Sequence, residues 1–239
     1  MQTQDGPAEI LFKLWPKLEQ NRKYIIGGAV VIAVAVVGFY VVSTQKAQSE
    51  VEAGEAVTSV LMSPAANGSP SQMATSLQAV AAKYSGTAAA ERAQLQSAAA
   101  LYGAGNYPEA QAQFQKYLDS NPNGNFAATA QLGIAACLEA QNKVDQAAAA
   151  YQRVVSVYPM SSSIGMAEYA LGRICEQQNK FQEAMTHYQN VIMKTLNGSL
   201  SNEARERAFE LQSKIAASAP KPAMSTNKPV MTLQPGAKQ

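Results

Sequence analysis

The side chains best suited to catalysis or metal binding are few and widely separated. The chain has one histidine, His187, and two cysteines, Cys137 and Cys175. A hydroxyl or thiol nucleophile needs a base beside it, and a zinc site needs closely spaced ligands. The sequence contains no metal-ligand spacing, no glycine-rich phosphate loop and no Gly-x-Ser-x-Gly motif. We therefore predict no enzyme, no metal site and no cofactor, and a solvated or packed role for His187.

The two cysteines are more readily explained as free thiols than as a disulfide. Cys175 falls at a core-facing position of a predicted helix, where a buried free thiol is the usual outcome. Cys137 lies one position away from that register, which rotates its side chain by about 100°. In an oxidising compartment the two thiols can also form a disulfide. The sequence leaves both states open, with the free thiols favoured.

The overall charge argues against nucleic acid as a partner. Charged residues make up 15% of the 239-residue chain, against about 25% in average proteins. Residues 45–217 contain 12 Lys and Arg against 14 Asp and Glu, so this region is slightly acidic. It has no basic stripe to neutralise phosphates. Alanine and glutamine are abundant instead, and both favour helix.

The elements that must position these side chains form a repeat of 37 residues. Each repeat places a small residue in a first helix, then an alanine and an aromatic four residues apart in a second helix. The small residues are Ala98, Ala135 and Gly172, the alanines Ala110, Ala147 and Ala184, and the aromatics Phe114, Tyr151 and Tyr188. Pro122 and Pro159 close the first two repeats. Such a period predicts stacked helix pairs, each burying its apolar face against its neighbours.

The pattern sets the boundaries of the predicted helices. Helix pairs are predicted over 89–102 with 108–120, 127–140 with 144–157, and 164–177 with 181–194. A weaker pair precedes them, with its first helix over 44–62. A polar-faced helix over 201–217 follows and is expected to cap the stack. The predicted fold class is thus all-α, an α-solenoid of three clear and one degenerate helix pairs.

These residues resemble the tetratricopeptide repeat, with Leu171-Gly172, Ala184 and Tyr188 giving the clearest match. The tryptophan usual in its first helix is replaced by Gln94, Gln131 and Glu168. The resemblance implies a protein-binding groove lined by the first helix of each pair. Carried over by position, the groove consists of Arg92, Leu95, Ala99, Tyr102, Thr129, Leu132, Ala136, Glu139, Met166, Tyr169, Arg173 and Glu176. Members that clamp a terminal carboxylate need Lys and Asn where this chain has Leu95 and Ala99, so that subclass is not expected.

An apolar run near the N-terminus predicts a membrane anchor. Residues 24–42 are 19 consecutive uncharged positions, close to the length needed to cross a hydrocarbon core of about 30 Å. The rival interpretation is a cleaved signal peptide. The preceding 23 residues are long for one, and Val41-Val42-Ser43 is a poor cleavage site. A retained helix over 24–43 is therefore favoured.

Flanking charge predicts the orientation of that helix. Lys13, Lys17, Arg22 and Lys23 precede the run, whereas only Lys46 follows closely. The positive-inside rule then places the N-terminus in the cytoplasm. Residues 1–23 read as a cytoplasmic amphipathic stub. The predicted divisions that follow are a degenerate first repeat over 44–87 with a loop at 63–71, repeats with a capping helix over 88–217, and a disordered proline-rich tail over 218–239.

This order of segments resembles the bacterial inner-membrane family of ancillary subunits of the SecYEG translocon, which also act as periplasmic chaperone partners. The resemblance implies a non-enzymatic scaffold, single-pass in the inner membrane, with its repeats in the periplasm. Its partners would be the translocon, exported chains or another membrane complex, and the bilayer itself through residues 24–42. Two alternatives remain open: a coordinator of cell-envelope assembly or division, and an accessory subunit of a membrane enzyme or redox complex.

Overall fold

The computed structural model describes residues 19–63, 69–195 and 198–218. Within these ranges the regular structure is helical, and the predicted all-α class is confirmed. The helices are α1 (Arg22–Met62), α2 (Pro70–Lys83), α3 (Ala88–Gly103), α4 (Tyr107–Ser120), α5 (Ala127–Ala140), α6 (Val144–Val157), α7 (Ile164–Gln177), α8 (Phe181–Thr195) and α9 (Ser199–Ser218). From α3 onward the helix ends lie within two residues of the predicted ones. Most of the predicted stub and loop, and the tail from 219, lie outside the described residues.

Helix α1 runs without a break through 41 residues. Its most apolar 18-residue window has a mean hydropathy of 2.7 and is not buried by any other part of the described chain. The β-branched residues here would favour a strand in water, yet the segment is helical, as expected for a chain that must satisfy its own backbone in lipid. By length and composition α1 can cross a membrane, a criterion that a signal sequence near the N-terminus also meets.

The described residues up to Gln141 form one compact unit. In it, Val57 of α1, Leu77 of α2 and Ala93 of α3 are buried together, with Val60 and Met73 packed against them. The C-terminal part of α1 therefore belongs to the folded repeats. It lies where the sequence predicts the first helix of the degenerate pair.

Glu50 fastens α1 to the start of α3. Its carboxylate oxygens accept hydrogen bonds from the backbone N–H groups of Ala88 and Ala89, both at 2.8 Å. The hydroxyl of Thr87 accepts from Ala90 N–H at 3.1 Å. Three of the four unpaired N–H groups at this helix start are thus satisfied, two of them by a charge placed favourably against the helix dipole.

The residues from Asn142 form a second compact unit, α6 to α9. Tyr188 and Val191 of α8 are fully buried against Cys175 of α7 and against Ala204 and Leu211 of α9. The predicted capping helix is therefore part of the core of this unit, because α9 covers the apolar side of the last helix pair.

A left-handed residue ends the first helix of each clear pair. Gly105, Asn142 and Asn179 have φ of 82°, 61° and 60°, and they lie 37 residues apart. Glycine and asparagine are the residues that adopt this conformation most readily. The turn is therefore encoded by the repeat as firmly as the core is.

Two of the three repeated aromatics, Phe114 and Tyr188, are buried against glycines. A Cβ added at Gly172 of α7 would lie 2.7 Å from the ring of Tyr188 in α8, and one added at Gly133 of α5 would lie 2.5 Å from the ring of Phe114 in α4. Gly172 is one of the predicted small positions. In α5 of the other unit, the repeat pattern predicts Ala135 as the small residue. Ala135 is buried, but the glycine beside the ring of Phe114 is Gly133.

Candidate functional site

The predicted groove residues of the first unit differ in exposure. Arg92, Tyr102 and Thr129 are exposed, and Leu132 and Glu139 are half-buried. Leu95 is only 7% exposed, so its side chain belongs to the core and offers little surface to a partner.

Aromatic rings accompany the exposed groove residues of α3. The guanidinium of Arg92 lies 6.0 Å from the centroid of the Phe126 ring, within reach of a cation–π interaction. The rings of Tyr102 and Tyr107 lie 5.2 Å apart in a tilted arrangement. This face therefore presents amphipathic side chains whose positions are already restricted, which lowers the entropy lost on binding.

A shallow apolar pocket of about 390 Å³ lies where α1, α2 and α3 meet. Its lining is Leu61, Pro70, Met73, Leu77, Gln96, Ala99, Ala100 and Gly103. The sequence predicts Ala99 as a groove residue. It does not indicate Leu61 or Met73, because nothing in the repeat pattern fixes how α1 and α2 pack.

In the second unit two of the four predicted groove residues of α7, Tyr169 and Glu176, bond to the capping helix. The hydroxyl of Tyr169 donates a hydrogen bond to Glu203 of α9, and its ring lies 5.5 Å from that of Tyr188. Glu176 accepts from Tyr188 Oη at 3.2 Å and from Lys214 Nζ of α9 at 3.0 Å. Burial, and then the charge of Glu176, raise the pKa of the Tyr188 hydroxyl. Of the four groove residues predicted in α7, Met166 is the most exposed, at 59%.

A polar pocket of about 590 Å³ opens between these helices. It is lined by Arg173, Glu176, Gln177, Asn179, Phe181, Arg207 and Lys214. Two of the predicted groove residues, Arg173 and Glu176, are thus brought together here. The sequence does not predict the pocket residues Arg207 and Lys214 of α9. The resemblance to the tetratricopeptide repeat places groove residues only in the first helix of each pair.

Glu168 is an almost fully buried carboxylate at the position of the usual tryptophan. It bonds Nδ1 of His187 at 2.7 Å and accepts from Asn190 Nδ2 at 3.1 Å, and Lys194 Nζ lies 3.6 Å away. Burial alone would raise its pKa. The hydrogen bonds from His187 and Asn190 and the nearby positive charge of Lys194 outweigh burial and lower it. His187 is therefore a packed residue with a specific partner.

A family model described as a tetratricopeptide repeat-like domain matches residues 14–214. The chain belongs to this family. No curated protein matches it. The fold of the family is typically a non-enzymatic scaffold, and for this chain it indicates a role in protein–protein interaction.

Solved structures with tetratricopeptide-like repeats are similar to this chain. Two contain nearly identical TPR-like repeats of a Podosopora anserina protein described as a kinesin light chain, one of them a variant. Each is 15% identical and covers 73% of this chain and 88% of its own, with TM-scores of 0.51 and 0.50. MamA from Desulfovibrio magneticus RS-1 is 17% identical over 70% of this chain and 98% of its own, with a TM-score of 0.44. The first two likenesses show the fold alone.

Both cysteines of this tetratricopeptide repeat-like chain are buried and free. Burial raises the pKa of the Cys137 thiol to about 11 and also raises that of Cys175. The predicted burial of Cys175 is confirmed, and Cys137, which the repeat register does not place in the core, is buried as well. Across the described residues, no group of histidine, cysteine and acidic side chains has the arrangement of a metal site.

Proposed function

We propose that this protein is a single-pass scaffold of the bacterial inner membrane that holds protein partners beside the bilayer on its periplasmic side. The finer assignment is an ancillary subunit of the SecYEG translocon, or of the chaperone network that receives exported chains. The observation that carries the proposal is the continuity of α1, which joins an exposed apolar stretch to the core of the repeats.

The exposure of the apolar stretch supports the anchor. Val31, Val34 and Phe39 are each at least 68% exposed. Large apolar surface of this kind is rare on a water-soluble protein and indicates a membrane or another apolar partner. The four basic residues before the run support the orientation, with the repeats translocated.

The exposed face of α3 and α5 supports binding of an extended or helical segment. Arg92, Tyr102 and Thr129 combine charge, an aromatic ring and a hydroxyl group on one predicted face. Aromatic and arginine side chains carry much of the energy of protein interfaces. The first unit also has its apolar pocket next to α3, where a partner's apolar side chain has a place to enter.

Site-specific photocrosslinking in native membranes tests the assignment. A photoreactive amino acid replaces Tyr102 or Thr129, and a control replaces the exposed Glu109 of α4. We expect translocon components or exported chains to be captured from the first two positions and not from the third. Capture of envelope-assembly proteins, or of subunits of a cofactor-bearing complex, would replace the translocon assignment with one of those alternatives.

A further inference from the structure

The polar pocket of the second unit has an excess of positive charge. Arg173 of α7 and Arg207 and Lys214 of α9 line it, and Glu176 is the one carboxylate among its lining residues. The amides of Gln177 and Asn179 and the ring of Phe181 complete the wall. The sequence from 45 to 217 is slightly acidic as a whole, so this concentration of cations is local.

Two of these cations, Arg207 and Lys214, form ion pairs that are at least partly exposed. The side chains of Lys214 and Glu176 pair at 3.0 Å and are 48% and 17% exposed. Arg207 lies 3.8 Å from Glu210, and both of those side chains are about half exposed. The pair of Arg207 with Glu210 is exposed, and such pairs contribute little to stability. Glu176 also accepts a hydrogen bond from Tyr188, so a carboxylate that enters the pocket can take its place at Lys214 while Glu176 keeps a partner.

We propose that this pocket binds a carboxylate of a partner polypeptide, between Arg173, Arg207 and Lys214. The proposal rests on the proposed function, since it names the chemistry by which the scaffold recognises a protein. Arginine presents a planar fork that matches a carboxylate in a bidentate arrangement. The neighbouring ring of Phe181, 6.0 Å from Lys214 Nζ, and the two amides suit the peptide on either side of the charged group.

The shape of the pocket favours a peptide over an anionic membrane surface. A flat bilayer contacts cations that project, whereas these three line a recess of about 590 Å³. The site also differs from that of the carboxylate-clamping members, which need Lys and Asn at the positions of Leu95 and Ala99. Here two of the three cations, Arg207 and Lys214, come from the capping helix.

Fluorescence anisotropy with the full chain in detergent micelles tests the proposal. The probes are labelled ten-residue peptides: one with two central glutamates and an amidated end, one with glutamines and a free carboxyl end, and one with glutamines and an amidated end. We expect the first or second peptide to bind and the third not to bind. The arm that binds tells whether a side chain or a chain end supplies the carboxylate.

Substitutions assign the binding to the pocket. We expect Arg173→Gln and Lys214→Gln each to weaken it about tenfold, and Lys214→Arg to restore it. The control Arg153→Gln, at an exposed arginine of α6 outside the pocket, should leave it unchanged. Glu176→Gln removes the competing carboxylate and should tighten binding, a gain that misfolding cannot produce.

Two results would overturn the proposal: equal binding of all three peptides, or binding by the two weakened variants at the affinity of the unmodified chain. Binding to vesicles rich in anionic lipid, with no peptide binding, would assign the pocket to the membrane instead. Crosslinking from Tyr102 in the first unit is independent of these side chains. If the unmodified chain binds none of the peptides but still captures partners from Tyr102, the pocket proposal is rejected and the proposed function stands.

Discussion

Glu168 shows how one residue can stabilise a fold while breaking its pattern. The family usually has a large apolar ring at this position, and here a charged group is buried there instead. The penalty for burying that charge is offset by hydrogen bonds from His187 and Asn190 and by the charge of Lys194. The sequence shows that the tryptophan is missing, but no sequence pattern pairs Glu168 with His187, 19 positions away.

We expect Glu168→Gln to lower the free energy of unfolding by about 1–3 kcal/mol, because it weakens charge-assisted hydrogen bonds in a buried place. Urea unfolding of the full chain in detergent, followed by circular dichroism, measures it. The matched control is Glu206→Gln at an exposed position of α9, with no effect expected. Equal losses for both variants would contradict the role given to Glu168.

The same group predicts a dependence on pH. Folding lowers the pKa of Glu168 below its ordinary value of 4.5. Its stabilising contribution is therefore complete above that value and is lost as the pH falls through the lowered, folded value. The stability difference between the unmodified chain and Glu168→Gln should shrink in that acidic range. A difference that stays constant down to pH 3 would count against the linkage.

The two thiols should react slowly in the folded chain. Cys137 is fully buried and Cys175 is 8% exposed, and burial raises both pKa values, so little thiolate is present at neutral pH. We expect an aromatic disulfide reagent to label neither thiol within minutes at pH 8, and both at once in guanidinium chloride. Fast labelling without denaturant would show that the helices carrying them open readily.

Among the elements, the closeness of paired helices depends on glycines that leave room for aromatic rings. Gly172→Ala should destabilise the chain by about 1–3 kcal/mol, since the added methyl group would overlap the buried ring of Tyr188. The control Gly54→Ala, in α1 where a Cβ meets nothing, should be neutral or stabilising by up to about 1 kcal/mol. Chemical unfolding of both variants provides the comparison, and equal effects would refute the packing argument.

The attachment of α3 to α1 is a second property of the elements. Glu50→Ala removes the acceptor of two backbone N–H groups and should cost about 1–2 kcal/mol, as the loss of a helix cap does. Hydrogen exchange of the amides of Ala88 and Ala89 should accelerate, with Glu55→Ala as the exposed control. Unchanged protection in Glu50→Ala would mean that packing alone holds the start of α3.

The sequence predicts the helices far better than it predicts the contacts between them. The 37-residue period predicts α3 to α8 closely, because small, aromatic and turn residues recur in the same register. It could not predict that Glu50 caps α3 across 38 residues, or that α9 contributes Arg207 and Lys214 to a pocket. Those contacts lie outside the repeat, so no periodic signal encodes them. The buried position of Leu95 likewise depends on packing that a carried-over position does not contain.

At the scale of the whole molecule, the proposed anchor predicts how the chain partitions. In alkaline carbonate extraction the full chain should remain with the membranes, while a variant that lacks residues 1–43 should be soluble, since the exposed apolar stretch has been removed. Release of the full chain would contradict the anchor. A mature mass that lacks the N-terminal segment would instead identify a cleaved signal sequence.

The capping of α3 by Glu50 has a consequence for the reach of the scaffold. With α1 as anchor, Glu50 lies eight residues beyond Val42, about 12 Å along the helix axis at about 1.5 Å per residue. The continuous helix α1 then holds the first repeat at a fixed distance from the bilayer, which a flexible linker would not do. A partner segment that leaves the bilayer close to α1 then meets the first repeat at a high effective concentration.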